Sequence, residues 1–207
     1  MTDSQPTIVC ADDMPPLPWR NGGGQTRELL AWPPGADWQV RISRADIAAD
    51  GPFSAFPDVQ RWFVVLEGAG VALGFADGQR LLHQGDTPFE FDGAAAPQCT
   101  LLDGPTQDLN LMVRKGQGCM QAVTAGKSWT TAHAVSRTNA HTARGLYTSA
   151  VGGWSNGAQS LTLAAHTLLW NHGDNAQPWT FTPETRTRLN HTGLIQAWWI
   201  AFTPDML

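Results

Sequence analysis

From residue 27 to about residue 125 the chain is a succession of short β-branched or aromatic runs, each closed by Gly, Pro or Asp, with almost no apolar pattern of helical period. Such a chain folds as strands joined by tight turns. The pattern predicts strands over Arg27–Ala31, Gln39–Ala45, Arg61–Glu67, Val71–Phe75, Gln79–His83, Pro88–Phe91, Thr100–Asp103 and Leu109–Arg114. Turn signals such as Glu67-Gly68-Ala69-Gly70, Ala76-Asp77-Gly78 and Asp92-Gly93 separate them. Regular short spacing of this kind implies a sandwich or barrel. The character changes between Gly116 and Ser128, after which strand-like runs resume at Gly145–Val151, Ser160–Leu169 and Leu194–Phe202. The expectation is an all-β chain of two units, 1–120 and 121–207, the second more degenerate and closely packed rather than independent. Polar connections, Thr130–Thr142 and Asn171–Gln177, carry little hydrophobic pattern.

Composition narrows the function classes. The 207 residues suffice for one sizeable core or two small ones, and the formal net charge is -5. Charged residues make up 15%, against roughly 25% in ordinary soluble domains, while Gly (21), Pro (14) and Trp (10) are plentiful, which again favours strands and turns over a helical bundle. No basic cluster supplies the footprint that phosphate binding requires, so nucleic acid is not expected as a direct partner. No apolar run approaches the roughly 18 to 20 residues that cross a bilayer, and Met1-Thr2-Asp3-Ser4-Gln5-Pro6 has neither a basic nor an apolar region. A cytoplasmic protein without a membrane partner is expected. Cys10, Cys99 and Cys119 are odd in number and widely spaced, consistent with reduced thiols.

Three constellations could carry chemistry. In Trp19-Arg20-Asn21-Gly22-Gly23-Gly24-Gln25-Thr26-Arg27-Glu28, consecutive glycines allow a close approach by a ligand or a neighbouring chain segment, and a polar strand follows. The motif is neither a dinucleotide fingerprint nor a P-loop. It is either an ordinary turn or, with Asn21, Thr26, Arg27 and Glu28 around it, part of a site. In the second constellation, Gln39, Arg41 and Ser43 share one strand face and Val40 and Ile42 the other, with Asp50-Gly51-Pro52-Phe53-Ser54-Ala55-Phe56-Pro57 and Arg61 following. In the third, Asp108, Asn110, Met112 and Arg114 alternate with Leu109, Leu111 and Val113. The polar faces are either solvated exteriors or the lumen of a small barrel. If they converge, Arg41, Arg61, Asn110 and Arg114 form a cationic, amide-lined pocket suited to a planar carboxylate.

Several chemistries lack their residues. The histidines are His83, His133, His141, His166, His172 and His191, with no His-x-His pair and no His-Glu-x-x-His helix, so no metal site is expected. There is no Gly-x-Ser-x-Gly elbow and no cysteine beside an evident base. Trp32, Trp38, Trp62, Trp170, Trp198 and Trp199 stand in core-like contexts, whereas Trp19, beside the glycine triplet, suits a pocket wall.

The motifs Trp19-Arg20-Asn21-Gly22-Gly23-Gly24 with Thr26-Arg27-Glu28, Asp50-Gly51-Pro52-Phe53-Ser54 with Phe56-Pro57 and Arg61, Leu66-Glu67-Gly68, and Asp108-Leu109-Asn110-Leu111-Met112-Val113-Arg114 together resemble the HutD/Ves family in order and spacing. They cover residues 17–116. Val40 and Leu109 depart from the family pattern, which usually carries aromatic residues there. The resemblance implies a bicupin, two jelly-roll-like units in one chain, with no cupin metal and no other cofactor. It further implies a regulatory role in bacterial histidine utilisation through binding of a small carboxylate metabolite, urocanate or a formylated glutamate derivative. The expected ligand-binding residues are Trp19, Asn21, Thr26, Arg27, Glu28, Arg41, Ser43, Phe53, Ser54, Phe56, Arg61, Asp108, Asn110, Met112 and Arg114, none of them catalytic. Arginines would neutralise the carboxylate, Thr26, Ser43 and Asn110 orient it, and Phe53, Phe56 and Met112 form apolar walls. The main alternative is a metal-free isomerase or hydrolase with Glu28 or Asp108 as general base. A third is a sugar-binding module with exposed Trp154 or Trp179. A homodimer through an exposed sheet is left open.

Overall fold

A computed structural model describes residues 5–136, 141–173, 177–184 and 195–205, with the side chain of His133 set aside. The described residues form strands β1 (Thr7–Cys10), β2 (Leu17–Pro18), β3 (Gly24–Trp32), β4 (Val40–Ile47), β5 (Gly51–Pro52), β6 (Gln60–Glu67), β7 (Val71–Phe75), β8 (Gly78–Leu82), β9 (Phe89–Asp92), β10 (Gln98–Leu101) and β11 (Thr106–Val113). After Lys115 come β12 (Gln117–Ala122), β13 (Ala143–Thr148), β14 (Gly152–Ser155), β15 (Ser160–Leu163), β16 (Thr167–His172), β17 (Thr180–Pro183) and β18 (Ala197–Thr203). Among the described residues helix is confined to three-residue 3₁₀ turns. The fold is all-β and cupin-like, as expected. The chain divides into two compact units, one of residues Met14–Lys115 and the other of Met1–Asp13 with Gly116–Leu207.

The Met14–Lys115 unit has a six-stranded sheet in the order β2-β3-β4-β11-β6-β9 and a four-stranded sheet in the order β5-β10-β7-β8. At its centre β11 pairs antiparallel with β4, placing Asp108 opposite Ala45, Asn110 opposite Ser43 and Met112 opposite Arg41. On its other edge β11 pairs with β6, placing Asn110 opposite Phe63 and Met112 opposite Arg61. Residues opposite one another in a ladder project to the same side. Arg41, Ser43, Ala45, Arg61, Asp108, Asn110 and Met112 therefore share one face of the sheet. The apolar filling of this unit is Ile47, Phe63, Val65, Val71, Leu73, Leu82, Phe91 and Cys99, with Trp19, Phe53, Phe75, Phe89 and Leu101 packed against it. Phe75, Phe89 and Phe91 pack mutually with ring centroids 5.5 to 5.7 Å apart. Each buried phenylalanine contributes about 2 kcal/mol by removal of apolar surface from water.

In the other unit β1-β16-β13-β18-β12 form one sheet and β15-β14-β17 a smaller one. Its core is Trp129, Val135, Leu146, Trp154, Leu163, Leu169, Trp179, Phe181, Ala197, Trp199 and Ala201. Trp129 stacks on Trp199 at 5.1 Å, and Trp154 meets Trp179 edge-on at 5.1 Å. At Gly152 the space is taken by the Phe181 ring, which any Cβ would strike.

Three expectations need correction. The N-terminal residues do not belong with the unit that follows them, because β1 pairs with β16, Thr7 opposite Trp170 and Cys10 opposite Thr167. The run Ser160–Leu169 is two strands, divided where His166 adopts φ 57°. Trp154 and Trp179 are 1% and 0% exposed, so they are core side chains and offer no face to a sugar. Of the tryptophans expected inside, Trp38, Trp62, Trp170, Trp198 and Trp199 are buried and Trp32 half-buried. The run Leu194–Phe202 is realised as Ala197–Thr203, with residue 194 outside the described residues.

Candidate functional site

The shared polar face of β4, β6 and β11 opens into a cavity of about 520 Å³ within the Met14–Lys115 unit. Its lining includes Trp19, Asn21, Thr26, Arg41, Ser43, Phe53, Ser54, Phe56, Arg61, Asp108, Asn110 and Met112, all anticipated from the sequence. The face that alternation alone assigns more readily to a solvated exterior is thus interior. Arg61, Asp108, Asn110, Ser43, Met112 and Ala45 are buried and form the floor, while Pro18, Arg20, Asn21, Pro52 and Ser54 are exposed and form the rim.

The floor is built around Arg61. It is 4% exposed, and its guanidinium carbon lies 5.2 Å from the centroid of Phe53, 5.8 Å from Phe56 and 4.9 Å from Phe91. Such cation–π contacts hold the charge in place without consuming its N–H donors. Its Nη2 donates to Asn110 Oδ1 at 2.7 Å, while Nε and Nη1 are buried with no hydrogen-bond partner. Burial lowers Arg61 to about 10, against the opposing influence of Asp108; Arg41 lowers it further. Asn110 in turn donates through Nδ2 to Asp108 Oδ1. Asp108 is 1% exposed, and burial holds its carboxyl well above the usual carboxylate range; Arg61 opposes that rise and Asp46 adds to it. Arg41 is engaged elsewhere, its Nε donating to Glu28 Oε2 at 2.7 Å.

The glycine triplet positions a wall. Gly22 turns with φ 72°, Gly23 N donates to Asn21 Oδ1 at 3.0 Å, and a Cβ on Gly24 would stand 3.1 Å from the Trp19 ring. Trp19 thus lies over Gly24, with its Nε1 donating to Thr26 Oγ1 at 2.7 Å and its ring edge-on to Phe53 at 6.5 Å. The opposite wall is fixed by Phe53 N donating to Pro97 O at 3.0 Å and Phe56 N donating to Gly93 O at 2.9 Å.

Three anticipated residues do not line the cavity. Arg27, opposite Arg44 on the other face of the β3–β4 ladder, donates through Nη1 to Met14 O at 2.8 Å. Glu28 lies where the β3–β4 register shifts and serves as the ion-pair partner of Arg41. Arg114 falls beyond the end of β11; its guanidinium carbon stands 4.5 Å from the Trp38 centroid, and Nη1 donates to Ala36 O at 3.3 Å. The structure adds Leu17, Pro18, Arg20, Ala45 and Pro52 to the lining. Arg20 adjoins Trp19 and Ala45 continues the alternation of Arg41 and Ser43, so these two carried a signal; Leu17 and Pro18 carried none.

Among the described residues no group of three or more His, Cys, Asp or Glu side chains could hold a metal ion; His191 and the His133 side chain lie outside them. Burial pushes the Cys99 thiol up to about 12, which makes it an inert core group; Asp108 and Asp50 push in the same direction. No helix among the described residues is long and apolar enough to cross a membrane.

Residues 11–189 match the HutD family. The chain is similar to Protein Ves of Citrobacter koseri, 38% identical over 120 residues that make up 57% of this chain and 63% of that protein. It is also similar to an uncharacterised 21.2 kDa protein in the hutC 3′ region of Pseudomonas putida, 41% identical over 115 residues, 53% of this chain and 58% of that protein. Less than two thirds of either curated relative is therefore matched. The solved structure of HutD from Pseudomonas fluorescens SBW25 shares the fold with a TM-score of 0.78 at 24% identity, covering 97% of this chain and 100% of that one. With most of its length matched, the chain belongs to the HutD family.

Proposed function

We propose that the Met14–Lys115 cavity binds a small carboxylate metabolite without a metal, and that this binding regulates histidine catabolism in the cytoplasm. One observation carries the ligand class: Arg61, buried among aromatic rings, has Nε and Nη1 without partners. A buried guanidinium with unspent donors in a dry site suits the oxygens of a carboxylate. Asn110 holds the guanidinium plane by accepting from Nη2, and Phe53, Phe56 and Met112 supply apolar walls. The link to histidine utilisation is supported by family membership and by the hutC-region relative in P. putida. Urocanate and formylated glutamate derivatives are the ligands of choice within that class, with neither nucleic acid nor membrane as a direct partner.

A second reading is carried by Asp108. A buried carboxyl inside the cavity with a raised pKa is suited to proton transfer, so a metal-free isomerase or hydrolase acting on a small organic acid is the alternative. Glu28 is the weaker candidate for the base, since it pairs with Arg41 and does not line the cavity.

The test is a thermal-shift screen against urocanate, formylglutamate, formiminoglutamate, histidine, glutamate and simple sugars. A ligand present at about a hundred times its Kd stabilises the native state by about 2.7 kcal/mol. A selective rise with one of these acids, lost in Arg61→Ala, is the expected result. Flat responses to every acid sink the reading, and turnover of a stabilising acid replaces the binding role with the enzymatic one.

A further inference from the structure

We propose that Asp108 works as a neutral carboxylic acid in the cavity floor, donating its proton in a hydrogen bond to the carboxylate held by Arg61, so that anion binding depends on that proton. The inference rests on the carboxylate-binding reading and names what else recognises the ligand and what controls its affinity.

The geometry begins with the order of the chain Arg61, Asn110, Asp108. Arg61 does not reach Asp108 with a hydrogen bond; its Nη2 goes to Asn110 Oδ1, and the Asn110 amide then donates to Asp108 Oδ1. Among the described residues Asp108 makes no ion pair. A carboxylate that is 1% exposed, with an amide as its hydrogen-bonded neighbour and no cation in contact, is an unfavourable place for a charge. Protonation relieves it. The neutral acid then has one oxygen accepting from Asn110 and one O–H donor to spend, and the residue lines the same cavity as Arg61, whose buried Nε and Nη1 have no partner.

A carboxylate entering this floor accepts from the Arg61 guanidinium and still has lone pairs to accept the Asp108 proton. Ionised Asp108 reverses both effects, because it repels the incoming anion and competes for the Arg61 charge. The same neutral-donor use of a buried aspartic acid beside an anion is known in oxyanion sites. The charged and titratable groups around Asp108 are Arg61 on β6, Arg41 and Asp46 on β4, Arg20 at the rim, and Cys99 on β10 with Asp50 beside it. Arg61, lowered only to about 10, stays charged, and Cys99, held up to about 12, stays neutral. Asp46 Oδ2 accepts from Gln25 Nε2 at 2.8 Å, outside the cavity lining. Asp108 is thus the group of the floor that can gain or lose a proton.

Formate is the probe, because it is a carboxylate with no other titrating group. Calorimetric titration of the full chain between about pH 5 and about pH 9 should show wild-type affinity falling, at its steepest, about tenfold per pH unit. Above the midpoint of that fall, binding should take up a proton, read as a dependence of the enthalpy on the buffer's own ionisation heat. Asp108→Asn, which keeps a neutral donor of the same shape, should bind formate with a flat profile and no proton uptake. A wild-type profile that is flat and free of proton uptake overturns the inference while leaving the carboxylate reading intact. So does an unchanged slope in Asp108→Asn, which would assign the proton to another group. Absence of formate binding by the wild type at any pH overturns both.

Discussion

The Arg61 guanidinium spends one N–H on Asn110 and packs against three phenylalanine rings, leaving two nitrogens unspent in a buried place. Unsatisfied buried donors cost stability, and such costs persist in proteins where function uses the groups. The planar fork is what a carboxylate needs, so the charge alone should not suffice. Arg61→Lys keeps the charge and loses the fork, and is expected to weaken carboxylate binding at least about tenfold, or about 1.4 kcal/mol; affinity within about twofold of wild type by calorimetry would refute the bidentate role. Asp108 makes a separate prediction about stability. Its folded-state pKa is raised by burial, so the folded protein keeps a proton that the unfolded chain releases near about pH 3.9. The stability this proton confers is complete below that pH and is lost progressively as pH climbs toward the folded value, at up to about 1.4 kcal/mol per pH unit. Urea unfolding at about pH 5 and about pH 7 should show the decline in wild type and a smaller one in Asp108→Asn. Equal declines in the two proteins would mean that Asp108 is not the group responsible.

At the scale of the strand, the cavity depends on how β3 begins. Trp19 lies on Gly24, where a methyl group would also meet the Asp46 carbonyl across the β3–β4 ladder. The carbonyl clash is the closer of the two, so the ladder itself must shift, and the tryptophan with its cavity wall shifts too. Gly24→Ala is expected to cost about 1–3 kcal/mol by overpacking and to weaken carboxylate binding as Trp19 leaves Thr26. Unchanged unfolding and unchanged affinity together would show that the wall is more compliant than its packing implies. The strands themselves were largely legible, because alternation and turn residues mark them: Val71–Phe75 coincides with its expectation, and β3, β4, β6 and β11 differ from theirs by a few residues at the ends. Alternation could not say which face was inside, since Arg41, Ser43 and Asn110 suit water as well as a cavity. Nor could it register where a pattern stops. Arg114 continues the period of Asp108, Asn110 and Met112, yet the strand ends at Val113 and the side chain turns to Trp38. Glu28, opposite Ser43 in the ladder, is spent on an ion pair with Arg41, a cross-strand pairing that alternation does not announce. Strands of two residues, such as Leu17–Pro18 and Gly51–Pro52, are too short to carry any period.

On the scale of the whole chain, the two units share a sheet-on-sheet plan and differ in what fills it. In Met14–Lys115 the inward face of β4, β6 and β11 carries arginine, serine, aspartate and asparagine around open space. In the other unit the corresponding interior holds Trp129, Trp154, Trp179 and Trp199, stacked, edge-on or tilted at 5.1 to 6.3 Å. Indole rings packed in this way contribute stability in proportion to the apolar area they bury. Binding and stability should therefore separate cleanly between the units. Trp154→Ala removes a side chain that is 1% exposed and is expected to cost about 3–5 kcal/mol through lost burial and the cavity left behind. Carboxylate affinity, measured well below its lowered melting temperature, should stay within about twofold of wild type, because Trp154 contributes nothing to the Arg61 floor. Arg61→Ala should do the reverse, abolishing binding with a smaller change in unfolding. If Trp154→Ala weakens binding as much as Arg61→Ala does while the protein is still folded, the tryptophan-filled unit takes part in recognition, and the site is larger than the cavity of Met14–Lys115.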